Sequence, residues 1–440
     1  MTKSENKKES FFLYTFIPLY TLISLFSPNI PAQTPDSANY LEESNKIFKL
    51  NIKTVLFHRD GWDLSPPIMK LDSDEKLRLS FDDLDADAKR FSFSIRHYNS
   101  GWQPSMLEPS EYIEGYEDDN IEEYQFSLNT LVPYTHYELI FPTEDMKPVI
   151  SGNYILKVYL DHPDSVYFTR RFYIVESKVT IEGKVKQATV IEDRKYKQEI
   201  DFYISTSGYR IANPYQDLKV ILIQNGRQDN MITGLNPKMV VNDRIDFDYD
   251  RENVFSAGNE FRSFDTKSLK YNTEFIASIK NSEDGYDIYL RDGQKRSFQV
   301  YKTEQDINGQ YKIKTEDGDV SEIEAEYVNV HFFLPYPAPM IDGEFFITGQ
   351  LTDWQFNEES RMNYDFKRKG YEKSLLLKQG YYNYLYILKY NDQIAGDESF
   401  FEGTHSETEN GYTILIYHRD ISKDYDRLVG IKFLNSRQEK

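Results

Sequence analysis

YILKVYL, residues 154–160, is a short run of β-branched and aromatic residues, and it indicates a β-strand. Further runs of this kind are each bounded by Gly, Pro, Asn or Asp. They are IDFYIS at 200–205, LKVILIQ at 218–224, YVNVHFFL at 327–334, EFFIT at 344–348 and TILIY at 413–417. Amphipathic helical stretches of three turns are hard to find. The spacing of the runs and the turn residues between them predict an all-β chain of tandem immunoglobulin-like β-sandwiches.

The chain has 440 residues, which is long for one domain, so about two to four domains are expected. Apolar residues make up 39% of it, enough to form packed cores. The expected segments are a signal peptide at 1–32, a leader at 33–50, a first sandwich at 51–176, a second at 177–305, a connector at 306–322 and a third sandwich at 323–440.

The N-terminus has the pattern of an export signal. Lysines precede an apolar run at residues 11–26, which Pro18 interrupts. The run is shorter than the roughly 20 residues of a membrane span. Ile30-Pro31-Ala32 is a passable cleavage site. We therefore expect a signal peptide and an exported protein, with an uncleaved anchor as the alternative.

The sequence contains no cysteine and carries a net charge of −20. A lipidated cysteine, disulfides and thiol catalysis are thus excluded. An acidic surface repels phosphate backbones and anionic lipid, so neither nucleic acid nor direct lipid insertion is expected. Protein partners, neutral glycans and cations remain possible.

Catalytic motifs are absent from the sequence. It has no G-x-S-x-G, H-E-x-x-H or P-loop pattern, and its seven histidines are scattered. Among 72 Asp and Glu residues, a carboxylate pair somewhere is certain and does not indicate a glycosidase. We predict no enzymatic activity and no cofactor, with a carboxylate-dependent hydrolase as a remote alternative.

One acidic segment has the spacing of a calcium loop. Asp83, Asp85 and Asp87 match the first three ligand positions of an EF-hand. Ala88 stands where that loop needs glycine, and Ser94 stands where it needs a bidentate glutamate. The segment is therefore interpreted as a solvated turn, and no metal site is expected.

The C-terminal segment contains an aromatic group that allows two interpretations. Trp354 follows a predicted strand at 344–350, and Tyr382 and Tyr384 alternate along a later one. The arrangement resembles the early-set immunoglobulin-like modules found in glycogen-binding domains, where an exposed Trp stacks on a sugar face. Trp354, Tyr382 and Tyr384 are therefore carbohydrate-binding candidates. Core packing is the alternative, because alternation alone turns half of such tyrosines inward.

Several motifs together resemble the plug-protein family of the type IX secretion system. They include RHYNSGWQPS at 96–105, EYIEGY at 111–116, YQFSLNT at 124–130, PYTHY at 133–137, SGNY at 151–154, RRF at 170–172, NP at 213–214, QNGR at 224–227 and AGNEFR at 257–262. The resemblance covers most of residues 50–440.

This resemblance implies a periplasmic protein without catalytic activity. Such a plug occludes the periplasmic mouth of a giant outer-membrane β-barrel, the translocon, while no cargo passes. The partner-contact candidates are Trp102, Tyr112, Tyr116, Asn225, Arg227, Asn259, Glu260 and Arg262. Local packing, a hairpin turn at 225–226 and an internal salt bridge at 260–262 are the alternatives. A periplasmic or surface carbohydrate-binding protein is the competing function.

Overall fold

The computed structural model describes residues 44–283, 285–419 and 424–437. The predicted signal peptide at 1–32 lies outside these residues, as does most of the leader. Within them, no helix combines the length and the apolar character that crossing a membrane requires. Strands dominate, and each helix is about one turn long, so the all-β prediction is confirmed.

Strands β1 to β12 form the N-terminal part of the structure. They are β1 (Lys46–Ile47), β2 (Ile52–Arg59), β3 (Ile68–Lys70), β4 (Leu77–Asp83), β5 (Phe91–Tyr98), β6 (Ile113–Gly115), β7 (Asp118–Ile121), β8 (Glu123–Phe126), β9 (Thr135–Phe141), β10 (Met146–Pro148), β11 (Gly152–Leu160) and β12 (Val166–Val175).

Eighteen further strands follow in the described residues. They are β13 (Thr180–Gln187), β14 (Lys197–Ser205), β15 (Leu218–Gln224), β16 (Ile232–Thr233), β17 (Met239–Val241), β18 (Arg244–Phe247), β19 (Val254–Ser256), β20 (Arg262–Asp265), β21 (Ile276–Ser282), β22 (Gly285–Leu290), β23 (Tyr311–Ile313), β24 (Tyr327–Pro335), β25 (Gly343–Thr348), β26 (Asn363–Asp365), β27 (Gly370–Lys378), β28 (Gly380–Tyr390), β29 (Gly411–Arg419) and β30 (Asp426–Asn435). The short helices are α1 (Pro109–Tyr112), α2 (Pro214–Asp217), α3 (Ser321–Glu324), α4 (Ser399–Glu402) and a 3₁₀ turn at Gln350–Thr352.

The first sandwich packs two sheets made from ten of the strands β1 to β12, and β6 and β10 pair separately as a two-stranded sheet. Sheet 1 has the order β1-β12-β11-β5-β7, with β3 parallel to β12, and sheet 2 has the order β2-β4-β9-β8. Strand β9, THYELIF, alternates strictly between buried and half-buried residues, as a strand with one core face must. Phe81 of sheet 2 meets Phe168 of sheet 1 edge to face, with 4.9 Å between ring centroids, and this contact closes the core.

The second sandwich combines strands that are far apart in sequence. Sheet 3 has the order β13-β14-β18-β17, with β19 on β14, and sheet 4 has the order β16-β15-β29-β30. Strand β15 pairs antiparallel with β29 along its whole length, from Leu218 opposite His418 to Gln224 opposite Tyr412. The C-terminal strands therefore complete the second sandwich.

In the sequence, the strands of the third sandwich lie between the two segments that form the second sandwich. Sheet 5 has the order β20-β28-β23, with β25 also on β28, and sheet 6 has the order β21-β22-β24-β27-β26. Phe264 and Phe332 join the two sheets edge to face at 5.7 Å.

The strand pairing crosses the boundaries that we predicted at 177–305 and 323–440. The expected second domain lacks β29 and β30, and the expected third domain lacks β20 to β23. A β-sheet can pair strands from any distance in the chain, so its strands need not follow a linear division of the sequence. We propose instead that residues 179–256 and 411–435 form the second sandwich and that residues 262–402 form an inserted third.

Candidate functional site

The first and second sandwiches meet at an apolar contact that we name the first joint. Tyr98, Trp102, Ile155, Tyr173 and Val175 of the first sandwich pack there against Ile221, Ile223, Leu415, Tyr417 and Leu428 of the second. Strand β11 is therefore buried on both faces. One face packs in the core of the first sandwich, and the other packs in this joint.

A tight turn carries Trp102 into the first joint. The Asn99 side-chain carbonyl accepts hydrogen bonds from the backbone N–H groups of Gly101 at 2.9 Å and Gln103 at 3.1 Å. Trp102 adopts a left-handed backbone with φ 60°, which few non-glycine residues tolerate. Its indole is only 6% exposed, and the Arg171 guanidinium lies 4.0 Å from the ring centroid.

Polar contacts reinforce the first joint. Asp426 accepts hydrogen bonds from the Ser100 backbone N–H at 3.0 Å and from its hydroxyl at 2.7 Å, and it pairs with Lys219 at 2.9 Å. Burial alone would raise the pKa of Asp426. The hydrogen bonds from Ser100 and Lys219 outweigh the effect of burial and hold the pKa of Asp426 below its usual value. The segment that begins at residue 96 is therefore part of an internal contact.

The first and third sandwiches meet around a buried carboxylate, the second joint. Asp82 is fully buried and lies 2.6 Å from the Lys378 ammonium, 2.6 Å from the Tyr327 hydroxyl and 2.7 Å from His136 Nδ1. Burial would raise the pKa of Asp82, but Lys378 and His136 outweigh it and lower the pKa. Asp82 and Lys378 thus link the two sandwiches through a direct, fully buried contact.

The second and third sandwiches meet at a contact that we name the third joint, where an arginine–carboxylate pair crosses between them. Arg227 of the second sandwich pairs with Glu398 of the third at 2.8 Å, whereas Arg262 pairs with Glu402 at 2.9 Å within the third. The Asn259 side-chain amide donates to the Glu402 backbone carbonyl at 2.8 Å. The planar Arg227 guanidinium, paired with Glu398, therefore links the two sandwiches.

Glu260 lies in the same region and is 1% exposed. It pairs with Arg437 at 2.7 Å and accepts a hydrogen bond from the Tyr301 hydroxyl, while its Oε2 has no partner in the described residues. Burial raises the pKa of Glu260 to about 7.

Most of the predicted partner-contact residues therefore face the interior of the protein. Trp102, Tyr112, Arg227 and Glu260 are buried, and Asn225, Asn259 and Arg262 are half-buried in hydrogen-bonded positions. Asn225 and Gly226 both have positive φ in a turn closed by the Arg227 N–H on the Gln224 carbonyl at 2.9 Å. Enclosed side chains cannot reach a partner while the joints hold, so the contact role fits Tyr116 alone, which is 67% exposed.

The carbohydrate candidates do not form a shared surface. Tyr382 and Tyr384 are buried in the core of the third sandwich, where Tyr382 stacks on Phe264 at 5.1 Å. Trp354 is half-buried, meets Phe261 edge to face at 6.0 Å, and borders a cavity of about 340 Å³ between the sandwiches. The core interpretation of the two tyrosines thus fits the structure better than the glycan one.

The acidic segment that resembles a calcium loop binds the ammonium group of Lys89. The Lys89 ammonium lies 2.6 Å from Asp83 and 3.2 Å from Asp87, and it also contacts Asp85. A lysine ammonium thus occupies the position between these three carboxylates.

Exposed aromatic residues of the first sandwich were missed by the sequence reasoning. Tyr124 and Phe126 of β8 are 45% and 54% exposed, close in sequence to Tyr116. Their alternation predicts one shared face, but only the structure shows that this face is uncovered.

Comparisons with known proteins place the chain in a family. The family described as type 9 secretion system plug protein 1st domain matches residues 52–176. A crystal structure of a hypothetical protein from Parabacteroides merdae is 33% identical, covers 89% of this chain and 99% of its own, and has a TM-score of 0.87.

Other solved structures are only weakly similar to this chain. The C-terminal domain of the Streptococcus pyogenes antigen I/II-family protein AspA is 7% identical, covers 87% of this chain and 99% of its own, and has a TM-score of only 0.15. No curated protein matches the chain significantly. The match at residues 52–176, together with the similarity to the Parabacteroides protein along nearly the whole chain, shows that this chain belongs to the type IX secretion system plug protein family.

Proposed function

We propose that this protein is a non-enzymatic periplasmic plug. It closes the periplasmic mouth of the type IX secretion translocon barrel while no cargo passes, and it is held at the outer membrane through that protein partner. The family match over residues 52–176 is the observation that carries the proposal.

The three joints support a mechanism of steric closure. A barrel wide enough for folded cargo breaches the permeability barrier unless a stiff body fills its mouth. Sandwich cores are close-packed, and the buried pairs Asp82–Lys378 and Arg227–Glu398 link neighbouring sandwiches. The residues that we expected to bind the partner thus contribute to plugging by making the plug rigid.

A plug also has to leave when cargo arrives. We therefore expect an interface of standard size with a polar rim, weaker than an obligate one. The net charge of −20 favours an association that is guided by charge and weakened by salt.

The test is an envelope-permeability assay in three strains. A strain without this protein should admit a large hydrophilic dye that the parent strain excludes. A strain that also lacks the translocon barrel should exclude the dye again, because no open pore remains. A tight envelope in the first strain, or a leak that persists in the second, would contradict the proposed function.

A further inference from the structure

The first sandwich has one side on which neither sheet is completed. The chain leaves sheet 1 after β7, passes Glu122 and enters sheet 2 as β8. In the described residues, β7 pairs only with β5, and β8 pairs only with β9. Two short edge strands therefore lie next to each other along this side.

Aromatic side chains on the core-facing side of β8 remain uncovered. Tyr124 and Phe126 stand opposite Tyr137 and Thr135, which are both fully buried. The Tyr124 ring lies 5.7 Å from the Tyr137 ring and 5.8 Å from the Phe126 ring. Tyr124 and Phe126 nevertheless remain about half exposed, because the facing sheet ends at β7.

The backbone of β8 offers hydrogen bonds on the same side. The Ser127 N–H donates to the Tyr134 carbonyl at 2.8 Å, which makes this a hydrogen-bonded pair of the antiparallel ladder. Bonded and non-bonded pairs alternate along such a ladder, so the N–H and C=O groups of Tyr124 and Phe126 point away from β9. No described strand receives them. Unpaired edges of this kind are templates for an added strand.

Three carboxylates lie along this edge. Asp118, Glu122 and Glu123 form no ion pair with any described residue. Glu123 stands opposite Glu138, whose charge Arg78 balances at 2.5 Å. A segment that pairs here would meet uncompensated carboxylates beside two apolar rings, so its complement is basic as well as apolar.

We propose that the β8 edge, residues 122–126, binds an extended segment of the translocon by strand addition. That segment places apolar side chains at alternate positions on Tyr124 and Phe126, and lysine or arginine beside Glu122 and Glu123. This inference rests on the proposed function for the identity of the partner.

Photo-crosslinking in the native envelope tests the location and the chemistry of the occupant. Benzoylphenylalanine replaces Phe126 in the full chain, and as a matched control it replaces Phe366, an exposed Phe of the third sandwich. We expect an adduct at position 126 whose partner peptide alternates apolar residues and carries Lys or Arg. An adduct with an acidic or a helical segment, or no adduct at 126 while the barrel still co-purifies, would overturn the inference.

Substitution separates this inference from the proposed function. Phe126→Lys should lower the amount of barrel that co-purifies with the tagged chain by at least about tenfold, as for a central apolar contact, and Phe366→Lys should not. If the lysine variant does not fold, Phe126→Thr replaces it in the same experiment, because threonine keeps a high β-propensity. Full recovery with both Phe126 variants refutes the β8 edge but leaves the plug intact. No barrel with the wild-type chain refutes the plug itself.

Discussion

Asp82 is enclosed between two sandwiches and depends on groups from both. His136 of the first sandwich and Lys378 of the third each place a side-chain nitrogen within 2.7 Å of its carboxylate. A buried ion pair adds little net stability compared with well-packed apolar groups, whereas loss of one partner leaves a bare buried charge.

We predict that Lys378→Met lowers the free energy of unfolding by about 3–5 kcal/mol, because Asp82 keeps its burial and loses its ammonium partner. The double variant Asp82→Asn, Lys378→Met should recover most of this loss. Urea unfolding measures both effects. Lys270→Met, which changes an exposed lysine, is the control and should behave like the wild type. Equal stability of the Lys378 variant and this control would show that the second joint does not depend on the pair.

Glu260 should make stability depend on pH. Its pKa is about 7 in the folded protein, against 4.5 for an ordinary glutamate, because burial favours the neutral form. Its stabilising contribution is therefore complete below about pH 4.5 and is lost as the pH rises to about 7. We predict that Glu260→Gln removes roughly 1–3 kcal/mol of this decline. Unfolding curves at pH 5 and pH 7.5 test it, and parallel pH profiles of wild type and variant would refute it.

At the scale of elements, the second sandwich is completed by strands from the C-terminus. Without β29 and β30, sheet 4 keeps only β15 and the two-residue β16. Val220 and Leu222 of β15 would lose their cross-strand neighbours Ile416 and Ile414 from the core, and β15 would lose its long partner strand.

We therefore predict that a fragment of residues 177–305 does not fold, whereas a fragment of residues 44–176 does. Circular dichroism and urea titration distinguish a cooperative transition from its absence. The 44–176 fragment should also show a red-shifted Trp102 emission, because its first joint is open. A cooperative transition in the 177–305 fragment would refute the strand pairing described above.

Local pattern was enough to predict the strands but not their partners. The run YILKVYL, residues 154–160, predicted a β-strand, and β11 lies there. The pairing of β15 with β29 left no local signal, since pairing depends on the fold of everything between them. The burial of Trp102 was equally hidden: a Trp in an irregular segment looks exposed until another sandwich covers it.

The roles of the candidate site residues could not be predicted from local sequence either. QNGR at 224–227 and AGNEFR at 257–262 were recognised as family motifs, yet their chemistry is internal and holds the third joint together. YQFSLNT, at 124–130, was recognised too, but its uncovered aromatic side chains became visible only once sheet 1 was seen to end at β7.

At the scale of the whole molecule, the joints should make three sandwiches behave as one body. We predict a single calorimetric unfolding transition for the wild type and at least two for Trp102→Ala. Trp102 fills the first joint, and truncating a buried Trp costs about 3–5 kcal/mol. Tyr116→Ala, at an exposed site, should keep the single transition. Separate transitions in the wild type would contradict a rigid plug.

The most direct test of the plug is purification of the tagged full chain from its native envelope in gentle detergent, followed by mass spectrometry. We expect one very large outer-membrane β-barrel protein in the eluate, recovered in less quantity as the salt concentration rises. Recovery of the chain alone, or with components of glycan uptake, would contradict it.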